Sequence, residues 1–385
     1  MSGEKVSKAL IIGGSLAGLF TATALRAIGW QVDVYERSPA TLDSRGGGIV
    51  LQHEVLEAFK FAGIKQTTAL GVRSTNRTFM DGRGRVRHKQ YAPQTQTSWN
   101  TLYSNLLNAL PEENYHRGKR LVGLEQRPNG ITASFEDGTF AEGEILIGAD
   151  GGGSTVRSLV LPGVNPTYSG YVVWRGLLNE TELPEKWKEQ IFEDFVFQQD
   201  PESLMLQYMV PGIDGSVALD ERRFNWLWYL KAAPGPELDA VMTDNKGRRR
   251  ENSIPPGAMS ETQDKAFRKM AQERLNPAFL ELIRRTDEIF VQAIMDLKVP
   301  QMVFNRVMLV GDAAFMPRPH TAGSTAKAAA NAVSLAQVMA AQSDIDTGLR
   351  LWEKQQLHEG NVMGDWGVDM GNRIMGIGNH SGVRK

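Results

Sequence analysis

The feature that most constrains the fold is a strand, a turn, a helix and a second strand near the start of the chain. Residues 8–13 (KALIIG) form a short apolar strand, and residues 15–29 form a helix rich in alanine and leucine that ends at glycine. Residues 30–36 (WQVDVYE) have the pattern of a second strand. Two strands joined through a helix pair in parallel, so this unit predicts an α/β fold with a Rossmann-like domain.

The turn between the first strand and the helix has the pattern that holds a dinucleotide. It follows G-x-G-x-x-G, with serine at the second glycine position, and contains Gly13, Gly14, Ser15, Leu16, Ala17 and Gly18. In this motif the glycines open the backbone to a pyrophosphate, which the helix amino terminus faces. Glu36 ends the second strand, where a carboxylate accepts hydrogen bonds from ribose hydroxyls. The turn alone leaves FAD and a nicotinamide dinucleotide as alternatives.

The composition excludes several classes of function. The chain has no cysteine, so disulfides, thiolate nucleophiles and cysteine-bound metals are excluded, and redox chemistry requires a bound cofactor. The six histidines are scattered, and we expect no metal site. A formal net charge of −1 attracts neither nucleic acid nor anionic lipid. The early apolar run is interrupted by glycines, which fits neither a signal peptide nor a membrane span, so we expect a cytoplasmic protein.

The length of the chain predicts two interlocked domains. At 385 residues it exceeds what one hydrophobic core usually supports. Aromatic strand formers over residues 166–232 favour an antiparallel sheet inserted as a substrate domain. We expect a dinucleotide domain of residues 1–72, 99–165 and 290–345, a substrate domain of residues 73–98 and 166–289, and C-terminal helices over residues 346–385. Residues 43–52 predict a glycine-rich loop that leads into a strand. Assembly as a homodimer stays open.

Two further motifs choose between the dinucleotides. One is GADG at residues 148–151, followed by Arg157, and the other is LVGDAA at residues 309–314, followed by FMPRPHTAGSTAKAAANA. With the amino-terminal turn they resemble the three fingerprints of the group A flavoprotein aromatic hydroxylases, whose best-known member is p-hydroxybenzoate hydroxylase. The resemblance extends over nearly the whole chain in the same order. Within that family the hydroxypyridine hydroxylases are most similar, through GGSLAGL, VDVYERSP, GGIVLQ, GADGG, YVVWRG and GDAAFMPRPH.

The resemblance implies that the dinucleotide is FAD, and it identifies several FAD neighbours. Arg37 and Gln52 would contact FAD, and Leu121 would touch its adenine end through the backbone. Asp150 would assist at the pyrophosphate and in the use of the nicotinamide nucleotide. Asp312 would accept hydrogen bonds from the ribityl chain. For both aspartates the alternative is a turn residue that caps a helix.

A helix opens directly after the last of these motifs, with Gly323, Ser324 and Thr325 at its amino end. Its free N–H groups would stabilise negative charge on the reduced flavin. The resemblance further implies that NADH or NADPH reduces FAD, and that the reduced flavin captures dioxygen as a C4a-hydroperoxide. The distal hydroxyl would then pass to an electron-rich aromatic ring, such as a hydroxypyridine or a phenol.

Four residues are candidates for contact with the aromatic substrate. His320 would act as an acid–base or orienting group, because its ordinary pKa lies near neutrality, and a structural role is the alternative. Tyr208 and Tyr229 lie on aromatic strands and would donate hydrogen bonds to ring oxygens, with core packing as the alternative. Pro317 would shape the loop before the flavin. For Arg175 we favour a buried salt bridge over pairing with an anionic ligand.

The sequence differs from the family pattern at two places, and three other functions are alternatives. Many members carry an arginine near position 100 that reaches FAD, whereas residues 98–101 here are SWNT, and HTAGS at residues 320–324 replaces the usual GQG. A halogenase of the same fold would carry WxWxIP, but here the segment from Trp226 continues as WLWYLK, so we expect its tryptophans to pack in the sheet. A flavin oxidoreductase without oxygen transfer and a non-enzymatic flavin-binding protein are the other rivals.

Overall fold

A largely parallel sheet is built around the first strand of the chain. The computed structural model describes residues 7–42, 47–65, 69–128, 130–342 and 344–378, and within them the strands form three sheets. In spatial order the first sheet contains Val303–Phe304, Val307–Leu309, Ile145–Gly148, Lys8–Ile12, Gln31–Glu36 and Tyr115–Arg117. Lys8–Ile12 pairs in parallel with a neighbour on each side, which confirms the Rossmann-like prediction.

The carboxyl ends of the central strands meet at one edge of this sheet. Ile12 pairs with Tyr35 on one side and with Gly148 on the other, and Gly148 pairs with Leu309. The turns that follow these strands therefore lie side by side, although they are far apart in sequence. Ligands of open α/β sheets bind at this edge. The three sequence motifs thus meet at one place in the fold.

Two helices that begin at this edge cover the parallel sheet. Leu16–Ala27 and Ser324–Ala341 contact each other, and each buries at least half of its residues. The second helix buries a series of alanines, and these small side chains let it approach the sheet and the first helix closely. The close packing fixes both helix amino termini beside the strand ends.

The second sheet is mainly antiparallel. In spatial order it contains Ser253–Ile254, Phe290–Lys298, Thr167–Asn179, Arg223–Lys231, Ser203–Val210, Phe195–Asp200, Val72–Met80, Val86–Ser98 and Gly48–Val50. Within it, Val72–Met80 and Val86–Ser98 pair as an antiparallel hairpin. Phe290–Lys298 joins this sheet, whereas the sequence assigned it to the dinucleotide domain. The division into domains itself stays a prediction.

The two faces of the antiparallel sheet have different surroundings. Trp226 and Trp228 are fully buried on one face, where they pack with Phe267. This packing confirms the interpretation of the tryptophans as sheet residues. Since side chains alternate along a strand, Leu227 and Tyr229 point to the opposite face. That opposite face forms the wall of a large cavity.

A long helix, Ile345–Met375, closes the chain and confirms the predicted C-terminal helical segment. Its glycines lie where other parts of the chain approach closely. A Cβ atom at Gly360 would lie 2.5 Å from the ring of Phe315, and one at Gly371 would lie 2.6 Å from the hydroxyl of Tyr171. Residues 379–385 of the predicted segment lie outside the described part of the chain, as do residues 43–46 of the predicted glycine-rich loop.

The remaining elements are shorter. A small antiparallel sheet contains Leu121–Arg127, Gly130–Phe135 and Phe140–Gly143. Further helices are His53–Phe61, Trp99–Asn108, Thr155–Val160, Glu185–Ile191, Pro236–Val241, Glu261–Arg274 and Pro277–Arg285. Glu261–Arg274 and Pro277–Arg285 are separate helices, because Asn276 caps the second by accepting a hydrogen bond from the amide of Phe279. Between Phe140–Gly143 and Ile145–Gly148 the chain passes from the small sheet to the parallel sheet.

Candidate active site

A channel follows the carboxyl edge of the parallel sheet. It has a volume of about 360 Å³ and runs from the glycine turn to the amino end of Ser324–Ala341. Most of the residues that the sequence predicts for FAD binding line it, namely Gly13, Ser15, Leu16, Glu36, Arg37, Leu121, Asp150, Asp312, Ser324 and Thr325. The structure therefore brings residues from every motif to one continuous surface.

The glycines of the turn occupy positions where a side chain cannot fit. Gly13 has φ +106°, and a Cβ atom there would lie 2.4 Å from the carbonyl oxygen of Ala149. A Cβ atom at Gly14 would lie 2.1 Å from the hydroxyl of Tyr115, which donates a hydrogen bond to the Gly14 carbonyl at 3.0 Å. A Cβ atom at Gly18 would lie 1.9 Å from the carbonyl oxygen of Gly13. Gly14 and Gly18 thus support the turn from behind, and the turn leaves its backbone open to the channel.

Glu36 supports the same turn from the second strand. Its carboxylate accepts hydrogen bonds from the amides of Gly14 at 2.9 Å and Ser38 at 2.8 Å. The side chain is buried and also lines the channel. Glu36 is therefore fixed where a ribose would meet it, and the predicted ribose contact stays a prediction.

Two helix amino termini open onto the channel. At the N-cap of the first helix, the side chain of Ser15 makes no capping bond within the described chain. At the N-cap of the second helix, Gly323 has no side chain that could make one. Neither helix has an acidic residue in its first turn. Unpaired amides and the positive end of the helix dipole favour a bound anion at such a terminus. The channel thus offers two positive ends to a ligand that carries negative charge.

Asp150 caps a helix at the back of the channel. Its carboxylate accepts hydrogen bonds from the amides of Thr155 at 2.6 Å and Val156 at 3.1 Å, and from the hydroxyl of Ser154. Burial raises the pKa of Asp150, and these hydrogen bonds oppose the increase. The capping alternative is therefore observed, and the predicted part of Asp150 in the use of FAD and nicotinamide stays a prediction.

Asp312 lies at the junction of the last motif with its helix. The hydroxyl of Ser324 donates to its carboxylate at 2.7 Å, and the Nζ atom of Lys327 lies 3.9 Å away. Lys327 is buried and donates to the carbonyls of Gly311 and Phe315, so it holds the loop against the helix. Burial lowers the pKa of Lys327 to about 8, and the charge of Asp312 opposes that decrease. Asp312 keeps 44% of its side chain exposed, and its predicted contact with ribityl hydroxyls stays a prediction.

Three other predicted FAD contacts have different positions. Arg37 is exposed at the rim of the channel, and Leu121 is buried in its wall. The Nε2 atom of Gln52 donates to the carbonyl of Ala322, a residue in the left-handed conformation with φ 51°. Gln52 therefore fixes the turn before Gly323, and it lines the neighbouring cavity rather than the channel. These FAD contacts stay predictions.

A second, larger cavity of about 1110 Å³ lies between the antiparallel sheet and the turn before Ser324–Ala341. It shares Ser324 and Thr325 with the channel, so the two spaces meet at the start of that helix. Its wall is largely aromatic and aliphatic, and includes Phe79, Phe195, Phe197, Leu204, Leu206, Tyr208, Leu227, Tyr229, Trp366, Met370 and Ile374. A space of this kind suits a flat apolar ring.

Tyr208 and Tyr229 both line this cavity, as the sequence predicts for residues that face the substrate. Burial raises the pKa of Tyr208 to about 12 and also raises that of Tyr229, while the positive charge of Arg175 opposes both increases. Both phenols therefore keep their protons at neutral pH and can donate hydrogen bonds. Their predicted contact with the substrate stays a prediction.

His320 also lines the cavity and packs among aromatic rings. Its ring centroid lies 4.4 Å from that of Tyr229 and 5.7 Å from that of Tyr171. Its Nε2 atom lies 3.1 Å from the hydroxyl of Tyr171. Burial and, to a smaller extent, the charge of Arg318 together lower the pKa of His320 to about 4. The imidazole is therefore neutral at pH 7, and its partner is the side chain of Tyr171.

Sequence reasoning missed part of the cavity wall. Pro317 is buried and is not among the residues that line the cavity, whereas Pro319 lines it, and the predicted role of Pro317 in shaping the loop stays a prediction. Phe195 and Phe197 alternate on one strand and could have been found from that period. Trp99 lines the channel beside Asn100, where many relatives were expected to carry arginine. Nothing in the sequence around Asn100 indicated that Trp99 would line the channel.

The features of the channel itself fit a bound FAD. Its turn excludes side chains, its two helix termini favour negative charge, and it opens into a large cavity with an aromatic wall. Over 353 residues the chain is 36% identical to 2,6-dihydroxypyridine 3-monooxygenase of Paenarthrobacter nicotinovorans. The aligned region covers 91% of this chain and 87% of that relative. The chain belongs to the flavoprotein aromatic hydroxylases. It is a flavin-dependent aromatic-ring monooxygenase that binds FAD and uses NAD(P)H and dioxygen.

Other comparisons agree with this family. A family model described as FAD binding domain-like matches residues 168–296. The chain is 26% identical to 6-hydroxynicotinate 3-monooxygenase of Pseudomonas fluorescens, over 86% of this chain and 81% of the relative. The solved structure of 2,6-dihydroxypyridine-3-hydroxylase from Arthrobacter nicotinovorans superposes with a TM-score of 0.91 at 33% identity, over 99% of this chain and 95% of that chain. The fold of the monooxygenase is thus that of a known flavoprotein hydroxylase.

Two further observations bear on metals and membranes. Among the described residues no cluster of three or more His, Cys, Asp or Glu side chains could hold a metal ion. In the same part of the chain no helix combines the length and apolar character that a membrane crossing requires.

Proposed function

We propose that this monooxygenase hydroxylates a hydroxypyridine, with NADH or NADPH as reductant and dioxygen as the source of the new hydroxyl group. The observation that carries the proposal is the aromatic cavity that opens onto the FAD channel at Ser324 and Thr325. The 36% identity to a relative named for 2,6-dihydroxypyridine supports a hydroxypyridine over other phenols. Both the reaction type and the ring class then fit the same space.

When bound, FAD supplies the redox chemistry, because it accepts a hydride from NAD(P)H and activates dioxygen. The residues of the chain must hold the aromatic ring and keep water away from it. Leu206, Leu227 and Phe195 form an apolar wall that removes water from the ring. Tyr208 and Tyr229 keep their protons, as their raised pKa values require, and can donate to oxygen atoms of the ring.

His320 supports the same task as a neutral group. Burial raises the pKa of Tyr171, so its hydroxyl keeps its proton and can donate it to Nε2 of the imidazole. The imidazole proton then resides on Nδ1, where it is available to a further acceptor. This arrangement favours an orienting role for His320 over storage of a proton, since the imidazole becomes charged only below pH values near 4.

The proposal is tested with the purified holoenzyme and a panel of rings. NADH and NADPH oxidation is followed with hydroxypyridines, hydroxybenzoates and simple phenols, and products are identified by mass spectrometry. Pyridine, which lacks a hydroxyl group, is the matched control ligand. We expect a hydroxypyridine to stimulate NAD(P)H oxidation most and to gain one hydroxyl group. Hydroxylation of a benzoate or phenol, with no product from any hydroxypyridine, would contradict the proposal.

The rival functions predict other outcomes. A flavin oxidoreductase without oxygen transfer would consume NAD(P)H with the ring unchanged. A halogenase would require halide for product formation. Trp226 and Trp228 pack on the face of the sheet away from the cavity, which supports hydroxylation over a tryptophan-dependent halogenation site.

We further propose that the enzyme works in the cytoplasm as a homodimer. The use of NAD(P)H, a cytoplasmic reductant, supports the location.

Two apolar side chains on the last helix support the homodimer. Leu351 and Val362 are more than half exposed, with relative accessibilities of 52% and 56%. They lie about three helical turns apart on one face of Ile345–Met375, which supports an apolar contact between two copies. Sedimentation of the holoenzyme and fractionation of cells that produce it test both statements, and a monomer or a membrane-bound enzyme would refute them.

A further inference from the structure

Arg175 lies in the wall of the aromatic cavity without a counter-charge from the described chain. It is on the strand Thr167–Asn179, directly opposite Leu227, and its side chain lies on the face of the sheet that lines the cavity. Its Nη1 atom donates to the side-chain oxygen of Gln292 at 3.1 Å, and its guanidinium lies 5.6 Å from the ring centre of Phe290. Among the described residues it forms no ion pair, so the buried salt bridge expected from the sequence is not observed.

A buried N–H donor in this wall has no acceptor among the described residues. Within the described chain, Nε of Arg175 has no hydrogen-bond partner. The Nη2 atom of the same guanidinium lies beside the turn at Gly47. Buried donors are almost always satisfied in native proteins, and an unpaired cation is more costly still. The arrangement therefore favours a ligand that brings an anionic acceptor.

The other charged and titratable groups of the cavity leave Arg175 uncompensated. Facing the space are His53, Glu54, Arg73, Arg77, Arg175, Tyr208, Tyr229 and His320. Glu54, Arg73 and Arg77 are exposed at the mouth, where solvent screens them. The tyrosines and His320 are neutral at pH 7, as described above. The inner part of the cavity thus has a positive charge from Arg175.

We propose that Arg175 is the anion-binding residue of the cavity and holds an ionised oxygen atom on the aromatic ring of the substrate. This inference rests on the proposed hydroxylation of a hydroxypyridine, whose ring hydroxyl can lose a proton. A ring carboxylate presents the same anionic oxygen, so the two sources must be separated by experiment. A guanidinium stabilises the anion, and the ionised ring is richer in electrons at its carbon atoms, which favours hydroxylation.

The test measures ligand binding to the oxidised holoenzyme through the change in flavin absorbance, so it does not depend on turnover. 2,6-Dihydroxypyridine, 6-hydroxynicotinate and 2-methoxypyridine are titrated across a range of pH, because they carry an ionisable hydroxyl, an added carboxylate and neither group. The proteins compared are the wild type, Arg175→Met and Arg175→Lys. Arg284→Met is the matched control, since Arg284 is exposed on the outer helix Pro277–Arg285.

For the wild type we expect binding of 2,6-dihydroxypyridine to strengthen as its hydroxyl ionises. Arg175→Met should weaken binding of the ionised ligand by roughly 10- to 100-fold and remove this dependence on pH. Arg175→Lys should bind more weakly than wild type and keep the dependence, which a purely structural role would not predict. Arg284→Met should match the wild type, and no variant should change binding of 2-methoxypyridine.

The outcomes separate this inference from the proposed function. Equal affinity and equal pH dependence in the wild type and Arg175→Met would overturn the role of Arg175 while leaving the hydroxypyridine substrate in place. An effect seen with 6-hydroxynicotinate alone would assign Arg175 to carboxylates and overturn the ring-hydroxyl inference. If the FAD-loaded wild type bound no hydroxypyridine at any pH, the proposed function would fail, and this inference with it.

Discussion

His320 is a residue of the cavity whose titration departs far from its ordinary range. Its pKa in the folded protein is about 4, against an ordinary value of 6.5, because burial and the charge of Arg318 disfavour the imidazolium. Between these two values the unfolded chain binds a proton that the folded chain does not bind. The stability that His320 contributes is therefore complete above pH 6.5 and is lost as the pH falls toward 4.

This shift gives a prediction for His320→Gln, which removes the titration and keeps a polar side chain near Tyr171. From pH 7 to pH 4.5 the free energy of unfolding of the wild type should decrease by about 2 kcal/mol more than that of the variant. Denaturant unfolding of both FAD-loaded proteins at the two pH values measures the difference. Equal decreases in the two proteins would mean that His320 titrates normally in the fold.

At the same scale, the sequence could name His320 but not its partner. Its place after LVGDAA indicated a position near the flavin, whereas Tyr171 lies 149 residues away in sequence. A contact over such a distance depends on how the antiparallel sheet meets the turn at residues 319–321, and no local pattern encodes it. The same reason explains why Arg175 was expected in a salt bridge, because only the packed sheet shows that no carboxylate of the described chain reaches it.

At the scale of the element, the glycine turn makes the sharpest prediction. Gly13→Ala places a methyl group 2.4 Å from the carbonyl oxygen of Ala149 at φ +106°, so the turn must shift away from its position beside the channel. We expect the Kd for FAD to rise about tenfold or more, which corresponds to about 1.4 kcal/mol. Fluorescence quenching during titration of the apoprotein with FAD measures the Kd.

Gly29→Ala is the matched control for this element. Gly29 ends the same helix region with φ +87°, but a Cβ atom there meets no atom within 4 Å. This variant should lose about 1 kcal/mol of stability through backbone strain and keep its affinity for FAD. Similar losses of FAD affinity in both variants would show that strain, rather than the shape of the turn, controls binding.

Local patterns predicted the elements of regular period directly, whereas a glycine-rich helix has a weaker local signal. The first strand, helix and second strand followed their periods because each is long and bounded by clear turn residues. The C-terminal helix was harder to predict, since each glycine in a helix costs about 1 kcal/mol relative to alanine. Tertiary contact explains these glycines, because Gly360 and Gly371 lie against Phe315 and Tyr171.

At the scale of the whole molecule, the active site is the meeting of two spaces built by different sheets. The parallel sheet supplies the channel for FAD, and the antiparallel sheet supplies the aromatic cavity. The order of the motifs predicted the first space, because strand ends of a parallel sheet share one edge. The second could only be predicted as a sheet, because its wall also includes Trp366, Met370 and Ile374 from the last helix.

The central claim, that the two spaces together transfer an oxygen atom to an aromatic ring, has one direct measurement. The holoenzyme is supplied with NAD(P)H, 2,6-dihydroxypyridine and dioxygen labelled with oxygen-18, and the product is analysed by mass spectrometry. We predict one labelled oxygen atom in each hydroxylated product, and none when only the water is labelled. Consumption of NAD(P)H with no labelled product, or with label that comes from water, would contradict the claim.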